Sequence, residues 1–304
     1  MKISVIGAGN VGATLAMRIA ESDIADVLLV DIVDGLAKGK AIDMSDAAAI
    51  VKHERKILGT TNFDDIAGSD IVVMTAGLAR KPGMTRDDLI KKNADIIRSV
   101  AEKIKVNCPD TLVIVVTNPL DVMVYEMLKT TGFDKSRVIG MAGTLDGARF
   151  INILSEKTGV PRSKIKTYVL ACHGDSMVPL LSKTTIADKK ITDVLSEQEI
   201  NECVDKTKFR GGEVVQYLKT GSAYYSPSAG VLDILVSIKN NDKRTLAVSA
   251  FLTGEYGISG ICFGVPAVIG SNGIEKIVEL TITEQEKTDL LKSAEKTKEM
   301  IDSL

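Results

Sequence analysis

Short apolar runs alternate with amphipathic stretches along the first half of the chain. Five runs are almost continuously apolar and rich in valine and isoleucine: Lys2–Ile6, Val27–Asp31, Ile71–Thr75, Thr111–Thr117 and Val138–Met141. Such runs are typical of parallel strands that are buried on both faces. Helical patterns lie between them, at Val11–Glu21, Leu36–Ile50, Asp87–Lys105 and Asp121–Thr130. This alternation predicts a doubly wound parallel sheet of the α/β class.

The second half mixes helices and strands without that regular alternation. The predicted elements are a helix at Thr144–Thr158, a strand at Lys166–Ala171, a long helix from Ser196, helices at Glu213–Lys219 and Ser228–Lys239, a hairpin of Ser259–Ile269 and Ile274–Thr281 around Asn272-Gly273, and a final charged helix after Thr283. The Asn-Gly pair is a strong hairpin signal. We therefore predict a domain of residues 1–142 followed by an α+β domain of residues 143–304, with the boundary near Gly143.

Three helix starts carry the pattern of a capping box, in which a Ser or Thr precedes an acidic residue by three positions. The pairs are Thr85 with Asp88, Ser196 with Glu199, and Thr283 with Glu286. Asp87 and Asp88 then fall in the first turn of a helix, where the macrodipole favours negative charge. We interpret them as helix-terminus residues rather than metal ligands.

A glycine-rich turn follows the first predicted strand and opens a helix. It reads Gly7-Ala8-Gly9-Asn10-Val11-Gly12, and Asp31 ends the second strand 19 residues after Gly12. Glycines at these positions allow the pyrophosphate of a dinucleotide to approach the helix N-terminus, and an acid about 20 residues further on binds the adenosine ribose. The alternative is a plain turn in which Asp31 only ends a strand. The complete strand–turn–helix–strand unit favours a dinucleotide site, and Asp31 favours NAD because it would repel a 2′-phosphate.

Composition narrows the class of protein further. The 304 residues are 45% hydrophobic and 26% charged, with a net charge of −2, so no basic excess points to nucleic acid or to an anionic membrane. No apolar run reaches the roughly 20 residues that span a bilayer. Four cysteines lie far apart without a C-x-x-C pair, which indicates free thiols in a reducing compartment. A strand is predicted from the second residue with no targeting segment before it, so we expect a cytoplasmic protein, although a trimmed organellar protein would look the same.

One loop carries two permanent cations. Arg80 and Arg86 lie six residues apart, on either side of Pro82 and Gly83. The Pro-Gly dipeptide predicts a loop. A guanidinium group is planar, matches a carboxylate and keeps its charge. We therefore predict that the loop closes over an anionic small molecule.

Other candidate groups lie later in the chain. His173 directly follows an apolar strand beside Gly174, so it can face a cleft, although a hydrogen-bonded structural histidine is the alternative. His53 lies in a charged run and is predicted to be solvated. Asp146 and Arg149 are three residues apart near a helix start and share one face, either as a site or as a surface ion pair.

Five motifs, in this order, resemble those of the lactate/malate dehydrogenase family across nearly the whole chain. They are Gly7–Gly12 with Asp31, Ala79–Arg86, Thr117–Pro119, Leu145–Phe150 and His173–Ser176. One of them alone would be weak evidence, whereas five in order are specific. The resemblance implies an N-terminal Rossmann domain that binds NAD and a C-terminal α+β catalytic domain. It also implies self-association as a homodimer or homotetramer.

The resemblance assigns catalytic and substrate-binding roles. His173 would move the proton of the substrate hydroxyl, Asp146 would orient and stabilise its imidazolium, and Arg86 would polarise the reacting carbonyl. Arg149 would hold the first carboxylate of the substrate and Asn118 would hydrogen-bond the same region. The Asn118-Pro119 peptide is a candidate for the cis form.

The resemblance also implies which residues bind the cofactor. They are Gly7, Gly9, Asn10, Gly12, Asp31, Asn93, Thr117 and Asn118. No metal ion is implied. Cys172, beside His173, is interpreted as a passive buried thiol, with an oxidation-sensitive thiol as the alternative.

Arg80 is predicted to decide the substrate. Arginine at this position is similar to the malate-type members of the family, whereas lactate-type members usually carry glutamine. A second substrate carboxylate needs a partner in a closed site, because an unpaired buried charge is unfavourable. The predicted reaction is the reversible oxidation of (S)-malate to oxaloacetate with NAD. The alternatives are oxidation of L-lactate or another 2-hydroxy acid, and a non-catalytic NAD-binding or assembly protein.

Overall fold

The N-terminal half forms a parallel sheet with helices between its strands. The computed structural model describes residues 1–78 and 85–304, with Arg86 described by its backbone alone. The elements of this half are β1 (Lys2–Ile6), α1 (Asn10–Glu21), β2 (Asp26–Val30), α2 (Leu36–Val51), β3 (Ile57–Thr60), β4 (Ile71–Met74), α3 (Arg86–Asn107), β5 (Leu112–Val115), α4 (Leu120–Thr131) and β6 (Val138–Gly140). Their order in the sheet is β6-β5-β4-β1-β2-β3, with parallel pairing throughout. Chain order therefore reverses between β1 and β4, which is where open α/β sheets bind ligands.

The C-terminal half adds three antiparallel strands to the same sheet and two small sheets. Its elements are α5 (Gly143–Thr158), β7 (Ile165–Lys166), β8 (Val169–Leu170), β9 (Val178–Pro179), β10 (Thr185–Ile186), β11 (Lys189–Lys190), α6 (Glu197–Leu218), α7 (Tyr225–Asn240), β12 (Arg244–Thr253), β13 (Ser259–Gly270), β14 (Gly273–Ile277) and α8 (Glu284–Asp302). Strand β12 pairs with β6 through Ser249 and Gly140, so nine strands form one continuous sheet. The division at residues 142 and 143 stays a prediction, and the sheet runs across it.

Most predicted elements are present, with ends shifted by up to four residues. The predicted parallel sheet, the hairpin of β13 and β14 and the final helix are confirmed. The predicted strand at Lys166–Ala171 is wrong, because β7 and β8 separate there and pair with different partners. The helix predicted at Glu213–Lys219 is the last part of α6 rather than a separate element.

Strands β3 and β12 were not predicted, and neither were the two-residue strands β9, β10 and β11. Strand β3 is a four-residue edge strand whose Leu58 is 62% exposed, so its apolar signal is short and partly solvated. Strand β12 has ten residues, of which Ser249 is fully buried although it is polar. Strand β3 lacks the nearly continuous apolar run by which the other strands were recognised. Strand β12 has such a run, from Leu246 to Leu252 with Ser249 as its one polar residue, and was not singled out.

All three predicted capping boxes are present at the starts of α3, α6 and α8. In each, the side chain of Thr85, Ser196 or Thr283 accepts a hydrogen bond from the third helical N–H, and the acidic side chain there accepts one from the cap. These contacts join residues three positions apart, so local sequence suffices to predict them. Among residues 1–78 and 85–304, no helix is both long and apolar enough to cross a bilayer.

Candidate active site

The glycine-rich turn joins β1 to α1 at the carboxyl edge of the parallel strands. Gly7 has φ of +104°, a conformation that L side chains rarely adopt, and a Cβ there would also lie 2.7 Å from Thr75 Oγ1. A Cβ on Gly12 would collide with the carbonyl oxygen of Gly7. Gly9 faces open space, with nothing within 4 Å of where its Cβ would be. The turn is therefore held tightly at Gly7 and Gly12 and leaves an open cradle at Gly9, as a pyrophosphate at a helix N-terminus requires.

Asp31 lies directly against this turn. Its Oδ2 accepts a hydrogen bond from the Ala8 N–H at 2.6 Å, and its Oδ1 accepts one from the Val33 N–H at 2.9 Å. Lys40 of α2 donates to the carbonyl oxygen of the same residue, Ala8, at 2.7 Å. Two oppositely charged side chains thus hold Ala8, and the Asp31 carboxylate is oriented at the edge of the turn. This fits the ribose of an NAD molecule whose pyrophosphate occupies the cradle.

His173 and Asp146 form a buried pair. The ring Nδ1 of His173 lies 2.7 Å from Oδ2 of Asp146, and their side chains are 13% and 2% exposed. Arg149, one helical turn after Asp146 on α5, lies 3.5 Å from Oδ1 of that carboxylate and is 13% exposed. The helix therefore presents a carboxylate to the ring and a guanidinium beside it. Within the part of the chain that the structure describes, no hydrogen bond occupies the second ring nitrogen of His173, so this nitrogen can meet a substrate.

Burial and charge act on His173 in opposite directions. Burial of the ring lowers the pKa of His173, but the charge of Asp146 and its hydrogen bond outweigh this, so that the pKa is raised above 6.5. Arg149 opposes the rise as a nearby cation. Burial also lowers the pKa of Arg149 itself, with Asp146 acting against it. An imidazole poised in this way can accept and return a proton near neutral pH.

Asn93 organises the segments that follow β4 and β5. Its Oδ1 accepts from the Leu78 N–H at 2.7 Å, and its Nδ2 donates to the carbonyl oxygens of Leu78 and Asn118 at 3.2 and 2.7 Å. Thr117 is buried and its hydroxyl donates to the carbonyl oxygen of Ala76 at 2.7 Å. The predicted cis peptide at Asn118-Pro119 is confirmed. All polar groups of Asn93 thus bond to protein, and Asn93 holds the cavity wall from behind.

One cavity connects the nucleotide side to the buried pair. It has a volume of about 400 Å³, and its wall includes Val11 of the glycine-rich turn, Thr117, Asn118, Arg149 and His173. The strand ends, the turn and His173 of the buried pair therefore open onto the same space. This volume suits a small organic acid beside a nicotinamide ring.

The wall also contains residues that the sequence did not single out. These are Lys208, Gly211 and Gly212 of α6 and Ser222, Ala223 and Pro227 before and in α7. A Cβ on Gly211 would lie 3.8 Å from both terminal nitrogens of Arg149. Adjacent glycines inside a helix are unfavourable by about 1 kcal/mol each. The Gly211-Gly212 pair was therefore the available signal that this part of α6 lies at the site, although neither glycine is required by a steric clash.

Other predicted residues have different outcomes. Arg80 lies outside the described residues, and so does the side chain of Arg86.

The prediction that His53 is solvated is wrong, because the residue is 8% exposed, with Nδ1 accepting a hydrogen bond from the Arg55 N–H at 3.2 Å. All four cysteines are free and buried, and burial followed by the charge of Asp121 raises the pKa of Cys172, as expected of a passive thiol.

The chain is similar to known proteins over its whole length. Residues 1–140 match the NAD-binding domain and residues 143–304 the alpha/beta C-terminal domain of lactate/malate dehydrogenases. A malate dehydrogenase from Chloroherpeton thalassium is 45% identical over 300 residues, covering 98% of this chain and 97% of the relative.

Solved structures of two enzymes share the fold almost equally. The malate dehydrogenase of Cryptosporidium parvum matches with a TM-score of 0.97 and 41% identity, covering 100% of this chain and 98% of its own. The lactate dehydrogenase of the same organism, in complex with lactic acid and NAD, matches with a TM-score of 0.96 and 37% identity, covering 99% and 96%. The backbone alone therefore does not separate the two substrates, but both domain matches and the full-length relatives agree that the chain belongs to the lactate/malate dehydrogenase family.

Proposed function

We propose that the chain is an NAD-dependent malate dehydrogenase that interconverts (S)-malate and oxaloacetate. The observation that carries the proposal is the His173–Asp146 pair, with Arg149 beside it, in a cavity shared with the glycine-rich turn. The names of the relatives agree with this reaction. A non-catalytic NAD-binding protein would need no buried acid–base pair at the wall of its nucleotide cavity.

The proposed roles follow from the geometry. NAD, when bound, supplies a nicotinamide ring that accepts a hydride from C2 of malate. His173 takes the proton of the C2 hydroxyl at its free ring nitrogen, and Asp146 stabilises the resulting imidazolium through Nδ1. Arg149 holds the C1 carboxylate, because a guanidinium can bind it with two parallel hydrogen bonds. In the reverse direction His173 returns the proton to the carbonyl oxygen of oxaloacetate.

Other residues around the cavity and in the glycine-rich turn take the remaining substrate-binding and cofactor-binding roles. We propose that Asn118 hydrogen-bonds the substrate, that Arg86 polarises its reacting oxygen, and that Arg80 pairs with the distal carboxylate. Gly7, Gly9, Asn10 and Gly12 would hold the pyrophosphate and Asp31 the adenosine ribose. Thr117 would form the cavity wall at the nicotinamide, and Asn93 would position that wall.

The test compares oxaloacetate with pyruvate as substrates for NADH oxidation by the purified protein. We expect a marked preference for oxaloacetate, whereas a preference for pyruvate would replace the proposal with a lactate dehydrogenase. His173→Asn should bind NADH and retain only a small residual turnover, and His53→Asn is the matched control because His53 is the only other histidine. Binding of NADH without turnover of any 2-keto acid by the wild-type protein would support the non-catalytic alternative.

We also propose self-association as a homodimer or homotetramer in the cytoplasm. Symmetric oligomers are common among soluble enzymes, and four free thiols suit a reducing compartment. Light scattering after size-exclusion chromatography measures the state directly, and a mass near that of one 32.5 kDa chain would contradict the proposal.

A further inference from the structure

Asp121 is a fully buried carboxylate beneath the active site. It lies in the first turn of α4, three residues after Asn118, and its exposure is 0%. Burial raises its pKa, and hydrogen bonds from Ser249 and His173 act against that rise. A buried carboxylate is unfavourable unless its oxygens are hydrogen-bonded, so its partners indicate its role.

Both oxygens of Asp121 bind groups on other elements. Oδ2 accepts a hydrogen bond from the main-chain N–H of His173 at 2.9 Å, and Oδ1 accepts one from the Ser249 hydroxyl of β12 at 2.6 Å. Capping of its own helix does not explain the residue, because these contacts join α4 to the segment after β8 and to β12. Asp121 thus ties three separate parts of the fold together directly behind His173.

His173 is therefore held at two points by two different carboxylates. Asp146 of α5 binds the ring at Nδ1, and Asp121 of α4 binds the main chain. The main-chain contact fixes the position of the His173 backbone, from which the ring extends. Without it, Asp146 could still hold Nδ1 while the ring shifted relative to the cavity.

We propose that Asp121 is a positioning residue that fixes the main chain of His173 relative to Asn118, so that the free ring nitrogen meets the substrate oxygen. This inference rests on the proposed function, since it assigns His173 to the acid–base step. The segment that begins α4 places Asn118 at the cavity wall, and three residues later Asp121 binds the His173 N–H. This segment therefore connects the end of β5 to the histidine. Misplacing a reacting group by about 1 Å can lower a rate by roughly 100-fold.

The first test compares Asp121→Ala with Asp121→Asn. The amide oxygen of asparagine can accept from the His173 N–H, and its NH₂ can donate to Ser249, so this variant keeps both contacts and loses only the charge. We expect Asp121→Ala to lower kcat for oxaloacetate by roughly 30- to 100-fold with NADH affinity unchanged. We expect Asp121→Asn to stay within about threefold of the wild type.

Glu126→Gln is the matched control. Glu126 is a 1% exposed carboxylate on the same helix, and it accepts from Arg98 at 2.7 Å instead of from the histidine segment. Its variant should keep kcat. Three results would overturn the inference: wild-type kcat in Asp121→Ala, an equal loss in Asp121→Asn, or an equal loss in Glu126→Gln. If Asp121→Ala does not bind NADH, Asp121→Ser replaces it, since serine keeps a polar group but is too short to bridge both partners.

The second test observes the histidine directly. The chain has two histidines, so selective isotope labelling gives two ring signals in NMR, and His53→Gln assigns them. Recorded across pH, the His173 signal should shift or broaden at every pH in Asp121→Ala. In Asp121→Asn only its titration should move, to lower pH, because the charge of Asp121 helps to raise the pKa of His173. The His53 signal should stay constant in both variants. An unchanged His173 signal in Asp121→Ala overturns the inference. This measurement needs no substrate, so it stands apart from any failure of the wild type to oxidise malate.

Discussion

Replacing Asp146 by asparagine tests the electrostatic basis of the proposed chemistry. The change keeps the size of the side chain but removes the negative charge 2.7 Å from Nδ1 of His173. Burial then lowers the pKa of His173 without the opposing charge that now raises it. We therefore expect the pKa of His173 to fall and the imidazolium to lose its main stabilising partner.

The size of the effect follows from the environment of the pair. The two side chains are 13% and 2% exposed, so solvent screens the interaction little. A hydrogen bond to a charged group contributes about 1.5–3 kcal/mol. A loss of that size in the transition state corresponds to a roughly 10- to 150-fold fall in kcat/KM.

The assay is the pH profile of both reaction directions. Oxaloacetate reduction needs protonated His173, and malate oxidation needs the neutral ring. A lower pKa therefore moves the alkaline fall of oxaloacetate reduction and the acid-side rise of malate oxidation to lower pH. Asp146 also contacts Arg149 at 3.5 Å, so kcat and KM are measured separately to distinguish loss of acid–base chemistry from weaker carboxylate binding.

A double variant decides whether Asp146 acts through His173. If it does, Asp146→Asn should add almost nothing to the loss already caused by His173→Asn, because groups that act as a unit are not additive. Equal loss from Asp146→Asn in both backgrounds would refute the reasoning. So would a pH profile that stays in place while kcat/KM falls.

Three further outcomes are expected. Arg80→Gln should move the ratio of oxaloacetate to pyruvate turnover toward pyruvate by roughly 30-fold or more, since losing one partner of a buried charge pair costs about 2–5 kcal/mol; an unchanged ratio would contradict the role of Arg80. Gly12→Ala should lower the melting temperature, because the added Cβ would collide with the carbonyl oxygen of Gly7. Gly9→Ala should melt like the wild type and bind NADH more weakly, because a Cβ there faces open space. Equal melting temperatures for the two variants would count against the tight turn. Cys172 should resist alkylation in the native state, since burial raises its pKa, and rapid labelling seen by mass spectrometry would reveal an accessible thiolate.

Local sequence rules predicted the elements that depend on near neighbours. Each capping box joins residues three positions apart, and the glycine-rich turn lies within six residues, so no distant segment is needed to specify them. Buried parallel strands are nearly as easy to predict from sequence, because both of their faces are buried and carry apolar side chains. Edge strand β3 was missed because half-solvated strands lack that continuous signal, and His53 was misjudged because charged neighbours do not reveal burial.

By itself, the sequence determined the parallel sheet, the dinucleotide turn and the identity of His173, Asp146 and Arg149 as candidates. Tertiary structure decided how they meet. His173 lies 27 positions from Asp146 and 52 from Asp121 in the chain, yet one carboxylate binds its ring and the other its main chain. No local pattern tells these two aspartates apart, because each lies in the first turn of a helix. Only the packing of α4 and α5 around the segment after β8 sets which atom of the histidine each one reaches.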